Sequence, residues 1–297
     1  MTSPNYPKSR NLSDTEYAWC RAVSSGTGNT VLALQIADRS PSEVASLQKT
    51  IYELQISHPL LRSKLRFNPT RKEYSFHIPS SPHVKINFHD SSSTSQIVQT
   101  LQTNQNSGLS HFHLILEHEL NDNRWVDPYS FPCNGIEVLF SSVYTLSGTK
   151  AVVVMKLHAA FCDRTTGVSF LRAMMEESRQ GGGVEKGDGE GSSSIESLVP
   201  NGMGKKTIWG RGKTLFGYSL NTLRLTNLGF INAQKPRFSE VVRLQLSSED
   251  TSRIIDACKS RRIKLCGALA AAGLIAAHST KFQRDRELEK KYMEWLL

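Results

Sequence analysis

The residues with the clearest potential for chemistry lie in a short loop that contains His158 and Asp163. A histidine at the end of a strand can act as a general base, because its imidazole exchanges a proton near neutral pH. An aspartate a few residues later can orient that histidine, or it can brace the loop through a charge-assisted hydrogen bond with the adjacent Arg164. Because catalytic side chains tend to lie on loops held by a rigid scaffold, we take this loop as the candidate site.

Two predicted strands and a predicted helix position the loop. Ala151–Leu157 is a run of β-branched and aliphatic residues and predicts a buried strand. Ile136–Leu146 predicts a second strand, and the Ser-Gly-Thr turn between them predicts a hairpin. After the loop, apolar residues at helical spacing predict a helix, with the hydroxyl of Thr165 or Thr166 as its N-cap.

This arrangement of strand, histidine, acidic residue and helix resembles the active-site segment of the condensation-domain and BAHD-type acyltransferases, of the chloramphenicol-acetyltransferase-like superfamily. Their motif is His-His-x-x-x-Asp-Gly, in which the histidine nearer the aspartate acts as the base. Residue by residue, His158 matches the first, usually non-catalytic histidine, and Asp163 matches the aspartate. Ala159 stands at the position of the base, and Arg164 replaces the glycine. A shift of one residue would bring His158 to the catalytic position, but it would also turn the side chain to the opposite face of the strand.

The resemblance implies a fold, a domain organisation and an activity. The fold class is α+β, a two-layer α/β sandwich of the chloramphenicol-acetyltransferase-like type, with one full lobe and the start of a second. The first lobe would span residues 1–178, a flexible tether and basic crossover residues 179–235, and the incomplete second lobe residues 236–297. The activity would be transfer of an acyl group from a thioester, on coenzyme A or a carrier protein, to an alcohol or amine acceptor. His158 would be the catalytic base and Asp163 a structural acid, with no permanently bound cofactor.

A second interpretation keeps this fold without the chemistry. Ala159 in place of the base, Arg164 in place of the glycine and the end of the chain at Leu297 favour a catalytically inactive binding module. Because members of the family continue through further strands, we expect a C-terminally shortened, plant-type member. The sequence leaves both the acyltransferase and the inactive relative open.

Other segments follow the element order of the same family. Val31–Ala37 predicts a strand, and Ser42–Ser57 predicts a helix that ends before a His-Pro pair. We interpret His58 of that pair as a capping or packing residue rather than as a base. Further along, Phe238–Leu246 alternates like a strand, and the Ala-rich stretch 263–280 predicts a buried helix.

Two further stretches lie between the predicted elements. Within Glu73–Phe88, two short alternating segments separated by prolines predict strands paired with each other, and the Gln-rich stretch 96–105 predicts a surface helix. His111, His113 and His118 suggest a metal site, and in a strand the first two would share one face. They follow no recognised ligand spacing, so we expect no metal.

Charge and composition narrow the range of partners. The 297-residue chain has a net charge of +9. Its 38% hydrophobic and 21% charged residues are ordinary fractions for a globular protein. Basic residues cluster in 205–224 and 259–264, but no nucleic-acid-binding motif accompanies them, so we interpret them as a solvated basic face. The Gly- and Ser-rich stretch 180–194 predicts a flexible tether.

Location and assembly are predicted from the same composition. No apolar run approaches the roughly 18 residues needed to span a bilayer, and the polar start lacks the apolar core of a signal peptide. Five scattered cysteines without a Cys-x-x-Cys pair indicate reduced thiols. We therefore expect a cytoplasmic monomer that takes a small-molecule alcohol or amine, without nucleic acid or a membrane span.

Overall fold

The structure of the chain is a computed structural model. It describes residues 9–37, 41–104, 108–180 and 237–277, together with residue 279 and a few positions between 209 and 219. Nearly all of the predicted tether and of the predicted basic crossover lies outside the described residues.

The chain divides into two compact units. The first consists of Met1–Gly204 together with Arg237–Val241, and the second of Lys205–Pro236 together with Val242–Leu297. The candidate loop and both sheets described below belong to the first unit.

Apart from the scattered helical positions between 209 and 219, the described residues contain eight strands and seven α-helices. The strands are β1 Ser9–Asn11, β2 Asn29–Ile36, β3 Lys64–Asn68, β4 Glu73–His77, β5 Ile86–His89, β6 Ile136–Glu137, β7 Leu139–Thr145 and β8 Ala151–His158. The helices are α1 Asp14–Ser24, α2 Pro41–Ser57, α3 Ser91–Asn104, α4 His111–Asn121, α5 Arg164–Gln180, α6 Ser248–Ser260 and α7, residues 265–277. None of these described helices has the length and apolar character required to cross a membrane.

The strands form two four-stranded sheets that share one stretch of chain. The first sheet has the order β1-β4-β3-β6 and is antiparallel throughout. The second has the order β2-β8-β7-β5, in which β5 runs parallel to β7 and the other pairs are antiparallel. Because β6 and β7 are separated only by Val138, the chain passes from one sheet to the other at this residue.

The central strand β8 is buried along its whole length because helices cover both faces of the second sheet. Val153 and Leu157 face a cluster that includes residues of α2 and α5. Val152 and Val154 face the other cluster, which includes Leu114 of α4. A strand covered on both sides is apolar at successive positions rather than alternating, which explains the run Ala151–Leu157.

Several predicted elements are confirmed. The strand predicted at Val31–Ala37 is β2, the helix predicted at Ser42–Ser57 is α2, and the surface helix predicted at 96–105 falls on α3, which ends at Asn104. The predicted hairpin is the antiparallel pair of β7 and β8. These elements have strong local periodicity, which is the most reliable signal in a single sequence.

One prediction within the first unit is wrong. The segments of Glu73–Phe88 do not pair with each other: β4 lies in the first sheet, and β5 pairs with β7 in the second. The partner of β5 is distant in sequence, and local periodicity carries no signal for such a pairing. His111 and His113 lie in a helix, so the face that they would share in a strand does not exist, and Ser110 precedes that helix as its N-cap residue.

Two predictions near the end of the described chain are also wrong. Residues 237–247 form no strand, and the exposed fraction of Val242 and of Leu244 is 83%. The Ala-rich stretch is helical as predicted, but α7 is exposed rather than buried, with 68% exposure at Ile275. Alanine and leucine favour a helix whatever surrounds them, so their pattern predicts the helix and not its burial.

Candidate functional site

The candidate loop begins where the two sheets meet. The backbone N–H of His158 donates to the carbonyl oxygen of Val138 at 3.0 Å. The N–H of Val138 donates in turn to the carbonyl oxygen of Ser63, next to β3 of the first sheet, at 3.3 Å. His158 is therefore fixed at the junction of the sheets by the strand that crosses between them.

The imidazole of His158 is enclosed by aromatic rings, and the residue is only 1% exposed. Trp125 meets it edge to face with 5.1 Å between ring centroids, and Phe161 does so at 5.5 Å. The indole N–H of Trp125 donates to the carbonyl oxygen of Glu137 at 2.9 Å, which fixes this ring against β6. The histidine thus lies in a rigid and largely apolar environment.

This environment determines the protonation state of His158. Burial lowers its pKa to about 3, because the charged imidazolium loses its hydration. The backbone N–H of Ala160 donates to Nδ1 at 3.2 Å, so Nδ1 carries no proton. In the neutral ring the single proton is consequently on Nε2.

The loop after His158 turns its apolar residues into the protein. The N–H groups of Phe161 and Cys162 both donate to the carbonyl oxygen of His158, at 3.0 and 3.3 Å, and close a tight turn. The ring of Phe161 packs edge to face on Phe76 of β4 at 5.7 Å. The loop therefore packs onto the first sheet as it leaves the second.

Asp163 caps α5 from the solvent side. Its Oδ1 accepts the backbone N–H of Thr166 at 2.7 Å, and its carbonyl oxygen accepts that of Gly167 at 3.0 Å. The hydrogen bond from Thr166 lowers the pKa of this exposed carboxyl group. The N-cap is thus Asp163, and the prediction of a threonine hydroxyl in this role is wrong, because a carboxylate satisfies the same orphan N–H groups. Arg164 is the first residue of α5.

Ala159, which the resemblance matches to the base, is half-buried beside the turn that leads into β2. A Cβ atom at Gly28 of that turn would lie 3.6 Å from the Ala159 methyl group. Gly28 has φ +86, a conformation that other residues rarely adopt. The methyl group of Ala159 can neither accept nor donate a proton.

A buried ionic network lies two residues before His158, and sequence reasoning missed it. The ammonium group of Lys156 contacts a carboxylate oxygen of Glu119 at 2.7 Å and one of Asp122 at 3.0 Å. It also donates to the carbonyl oxygen of Asp122. The hydroxyl of Tyr144 donates to Glu119 at 2.7 Å. The network joins β7, β8 and the end of α4.

Burial and charge oppose each other in this network. Burial by itself would raise the pKa of Glu119, but the Lys156 ammonium and the hydrogen bonds it receives hold that pKa below its usual range. Burial, followed by the negative charge of Glu119, raises the pKa of Tyr144. The chemistry of the network is therefore that of a stable ion pair. One signal for it was in the sequence, since a lysine inside an apolar strand is rarely buried without a partner.

The other histidines considered from the sequence have ordinary packing roles. The ring of His58 packs on Phe170 with 4.9 Å between centroids, in agreement with the packing interpretation. Nδ1 of His113 is hydrogen-bonded to the Ser110 hydroxyl at 2.7 Å. In the part of the chain that the structure describes, no group of three or more His, Cys, Asp or Glu side chains is arranged to hold a metal ion.

A small cavity of about 60 Å³ lies between α2 and the start of β7. Gln55, Lys85 and Glu137 are among its lining residues, and His158 is not. A cavity of this volume holds a few water molecules and is too small for an acyl thioester.

Comparison with solved structures identifies the fold. The first condensation domain of the CDA synthetase superposes with a TM-score of 0.61 at 13% identity, over 91% of this chain and 62% of that chain. The first condensation domain of the calcium-dependent antibiotic synthetase, in complex with substrate analogue 2a, gives a TM-score of 0.57 at 14% identity, over 91% and 61% of the two chains. Polyketide synthase associated protein 5 from Mycobacterium tuberculosis gives 0.54 at 16% identity, over 95% and 57%. No protein-family model and no curated protein matches the sequence.

These likenesses show that the chain has the condensation-domain fold of the chloramphenicol-acetyltransferase-like type, and the predicted fold class is confirmed. The chain spans between 57% and 62% of the length of these three structures. This partial coverage fits one lobe of the fold.

Proposed function

We propose that this chain is an acyl-transfer-type scaffold that binds a thioester or its acceptor without catalysing the transfer. The observation that carries the proposal is the state of His158, the only histidine within the motif. Its ring is buried, its pKa is lowered to about 3, and Nδ1 already accepts a hydrogen bond.

A general base needs a free nitrogen lone pair that reaches the acceptor group and a pKa near the working pH. Nδ1 of His158 is occupied by the Ala160 N–H, and Nε2 carries the proton of the neutral ring. A pKa of about 3 also makes the imidazole a weak base at neutral pH. Each of these properties opposes abstraction of a proton from an alcohol or amine.

The two neighbouring motif positions support the same conclusion. Ala159 has no group that could replace the base. Asp163 is engaged at the N-terminus of α5, so its role is to hold the helix and the loop. The motif in this chain therefore retains the aspartate that holds the loop and the helix, and it lacks the base.

The ligands that we propose for this scaffold are those implied by its resemblance to the acyltransferases. They are an acyl thioester, on coenzyme A or a carrier protein, and a small alcohol or amine, with no permanently bound cofactor. The complex of a similar condensation domain with substrate analogue 2a supports a small-molecule ligand. The plant-type BAHD branch, a shortened chain, a cytoplasmic location and a monomeric state stay predictions.

The alternative is an active acyltransferase in which His158 is the base. Its support is the retention of a histidine, His158, and of Asp163 in the loop at the end of a central strand. This alternative requires the loop to open, because the imidazole must leave the rings of Trp125 and Phe161 to meet a substrate.

Binding and turnover measured side by side test the proposal. Acetyl-CoA and an acetyl-phosphopantetheine thioester serve as probes for binding by calorimetry, and release of the free thiol in the presence of a panel of alcohols and amines reports turnover. We expect binding of at least one thioester and no thiol release above the protein-free rate. Thiol release that depends on His158 would establish the alternative, and absence of both binding and turnover would reject both functions.

A further inference from the structure

A short segment without helix or strand structure, Arg237–Val241, is hydrogen-bonded to two side chains of α4. Asn121 donates through Nδ2 to the carbonyl oxygen of Ser239 at 2.8 Å and accepts the Ser239 N–H through Oδ1 at 2.7 Å. One turn earlier, the carboxylate of Glu117 accepts the N–H of Val241 at 2.8 Å. The segment Arg237–Val241 thus makes three short hydrogen bonds to two side chains of one helix.

The spacing of the two partners explains the fit. Residues i and i+4 of a helix lie on one face, about 6 Å apart along the axis. Alternate residues of an extended chain point the same way and are about 6.6–6.8 Å apart. Glu117 and Asn121 therefore present their polar groups at the repeat of an extended backbone, as a neighbouring strand would. Burial agrees, because Ser239 and Val241 are half-buried whereas Glu240 between them is exposed.

The three bonds go only to backbone groups of the segment, so they do not depend on its particular side chains. Glu117 is fully buried, which makes its carboxylate a built part of this site rather than a surface group that happens to lie nearby. The division into compact units agrees with these contacts: Arg237–Val241 belongs to the first unit, whereas the residues on both sides of it belong to the second.

We propose that Glu117 and Asn121 form a clamp for the backbone of an extended peptide, and that the ligand of this clamp is the chain's own segment Arg237–Val241. The clamp replaces the strand pairing that the alternating sequence Phe238–Leu246 predicts. It retains the segment on the first unit, and it does so independently of acyl transfer.

Hydrogen exchange measured by mass spectrometry on the full chain tests the clamp. Asn121→Ala removes two of the three bonds, and we expect amide exchange within residues 237–241 to become roughly tenfold faster or more. The matched control is Asn123→Ala, because Asn123 also makes two backbone hydrogen bonds, to Val23 and Trp125, but none to the segment. It should leave exchange in 237–241 within about twofold of the unmodified chain.

A second pair of variants leaves α4 unchanged, so the test stands even if Asn121→Ala does not fold. Ser239→Pro removes the N–H that Asn121 accepts, and Glu240→Pro alters the exposed neighbour. We expect faster exchange across the remaining amides of the segment in Ser239→Pro only. A synthetic peptide of residues 235–243 should also bind to Ser239→Pro more tightly than to the unmodified chain. Unchanged exchange in Asn121→Ala and Ser239→Pro, or an equal increase in the controls, would overturn the clamp.

Discussion

The imidazole of His158 meets the indole of Trp125 edge to face, with 5.1 Å between the ring centroids. Trp125 is itself held by a hydrogen bond to the backbone of Glu137, and Phe161 closes another side of the imidazole. A histidine that the sequence places at the end of a strand is therefore a packed residue. Its surroundings exclude the charged form that proton transfer would create.

Replacing His158 with glutamine should make the free energy of unfolding fall less steeply as the pH is lowered. The folded-state pKa of about 3 lies below the value of 6.5 expected for an unperturbed histidine. Between these values the unfolded chain binds a proton that the folded chain does not, so this residue lowers stability as pH falls, by roughly 1.4 kcal/mol per pH unit. Glutamine does not titrate, so the stability difference between the two proteins should narrow from about pH 7 to about pH 4 in urea unfolding. Parallel curves would contradict the burial of a neutral imidazole.

Lys156→Met should be strongly destabilising because it leaves the carboxylate of Glu119 buried without its cation. The expected loss in the free energy of unfolding is about 3–5 kcal/mol. The matched control is Lys150→Met, since Lys150 is exposed in the turn before β8 and its replacement should change stability by less than about 0.5 kcal/mol. Adding Glu119→Gln to Lys156→Met should recover part of the loss. Equal effects of the two lysine variants would argue against the network.

Asp163→Ala should lower the free energy of unfolding by about 0.5–2 kcal/mol, because the N-terminus of α5 loses its cap. Asp163→Ser keeps an oxygen that can accept the Thr166 N–H and should restore most of this stability. Thermal unfolding of the three proteins measures the difference. If serine is as damaging as alanine, capping is not the role of Asp163.

Gly135→Ala should disturb the turn that leads into β6 and hence the strand that crosses between the sheets. Gly135 has φ +89, and a Cβ atom there would lie 2.9 Å from the backbone oxygen of Leu65 in β3. We expect a loss of about 1–3 kcal/mol in the free energy of unfolding. Gly148→Ala is the control, because no heavy atom lies within 4 Å of its added Cβ. Equal stability of the two variants would show that the turn tolerates a side chain.

Local periodicity predicted many of the helices and strands, but it could not predict how distant strands pair. β8, α2 and α3 could be predicted because each carries its pattern within a short window. The parallel pairing of β5 with β7 could not, since its partner lies more than fifty residues away and both segments read alike as strands. The passage of the chain between the two sheets at Val138 could not be predicted either. A continuous apolar stretch predicts one strand rather than two strands in different sheets.

The sequence identified the residues of the candidate site, but it did not predict their burial or their contacts. The spacing of His158 and Asp163, together with the resemblance, led to the correct fold. The burial of His158 depends on Trp125, which is distant in sequence and carried no signal of contact. The same holds for Lys156, whose partners Glu119 and Asp122 lie in and just after α4.

The central proposal is that the chain keeps the scaffold of acyl transfer and lacks its base at position 159. The most direct measurement is thiol release from acetyl-CoA with a panel of alcohols and amines, for the unmodified chain, Ala159→His and His158→Ala. We predict no turnover in the unmodified chain and in His158→Ala, and turnover in Ala159→His, because a general base typically contributes about 10²–10⁴-fold. Turnover in the unmodified chain that His158→Ala abolishes, with the fold intact, would contradict the proposal and make His158 the base.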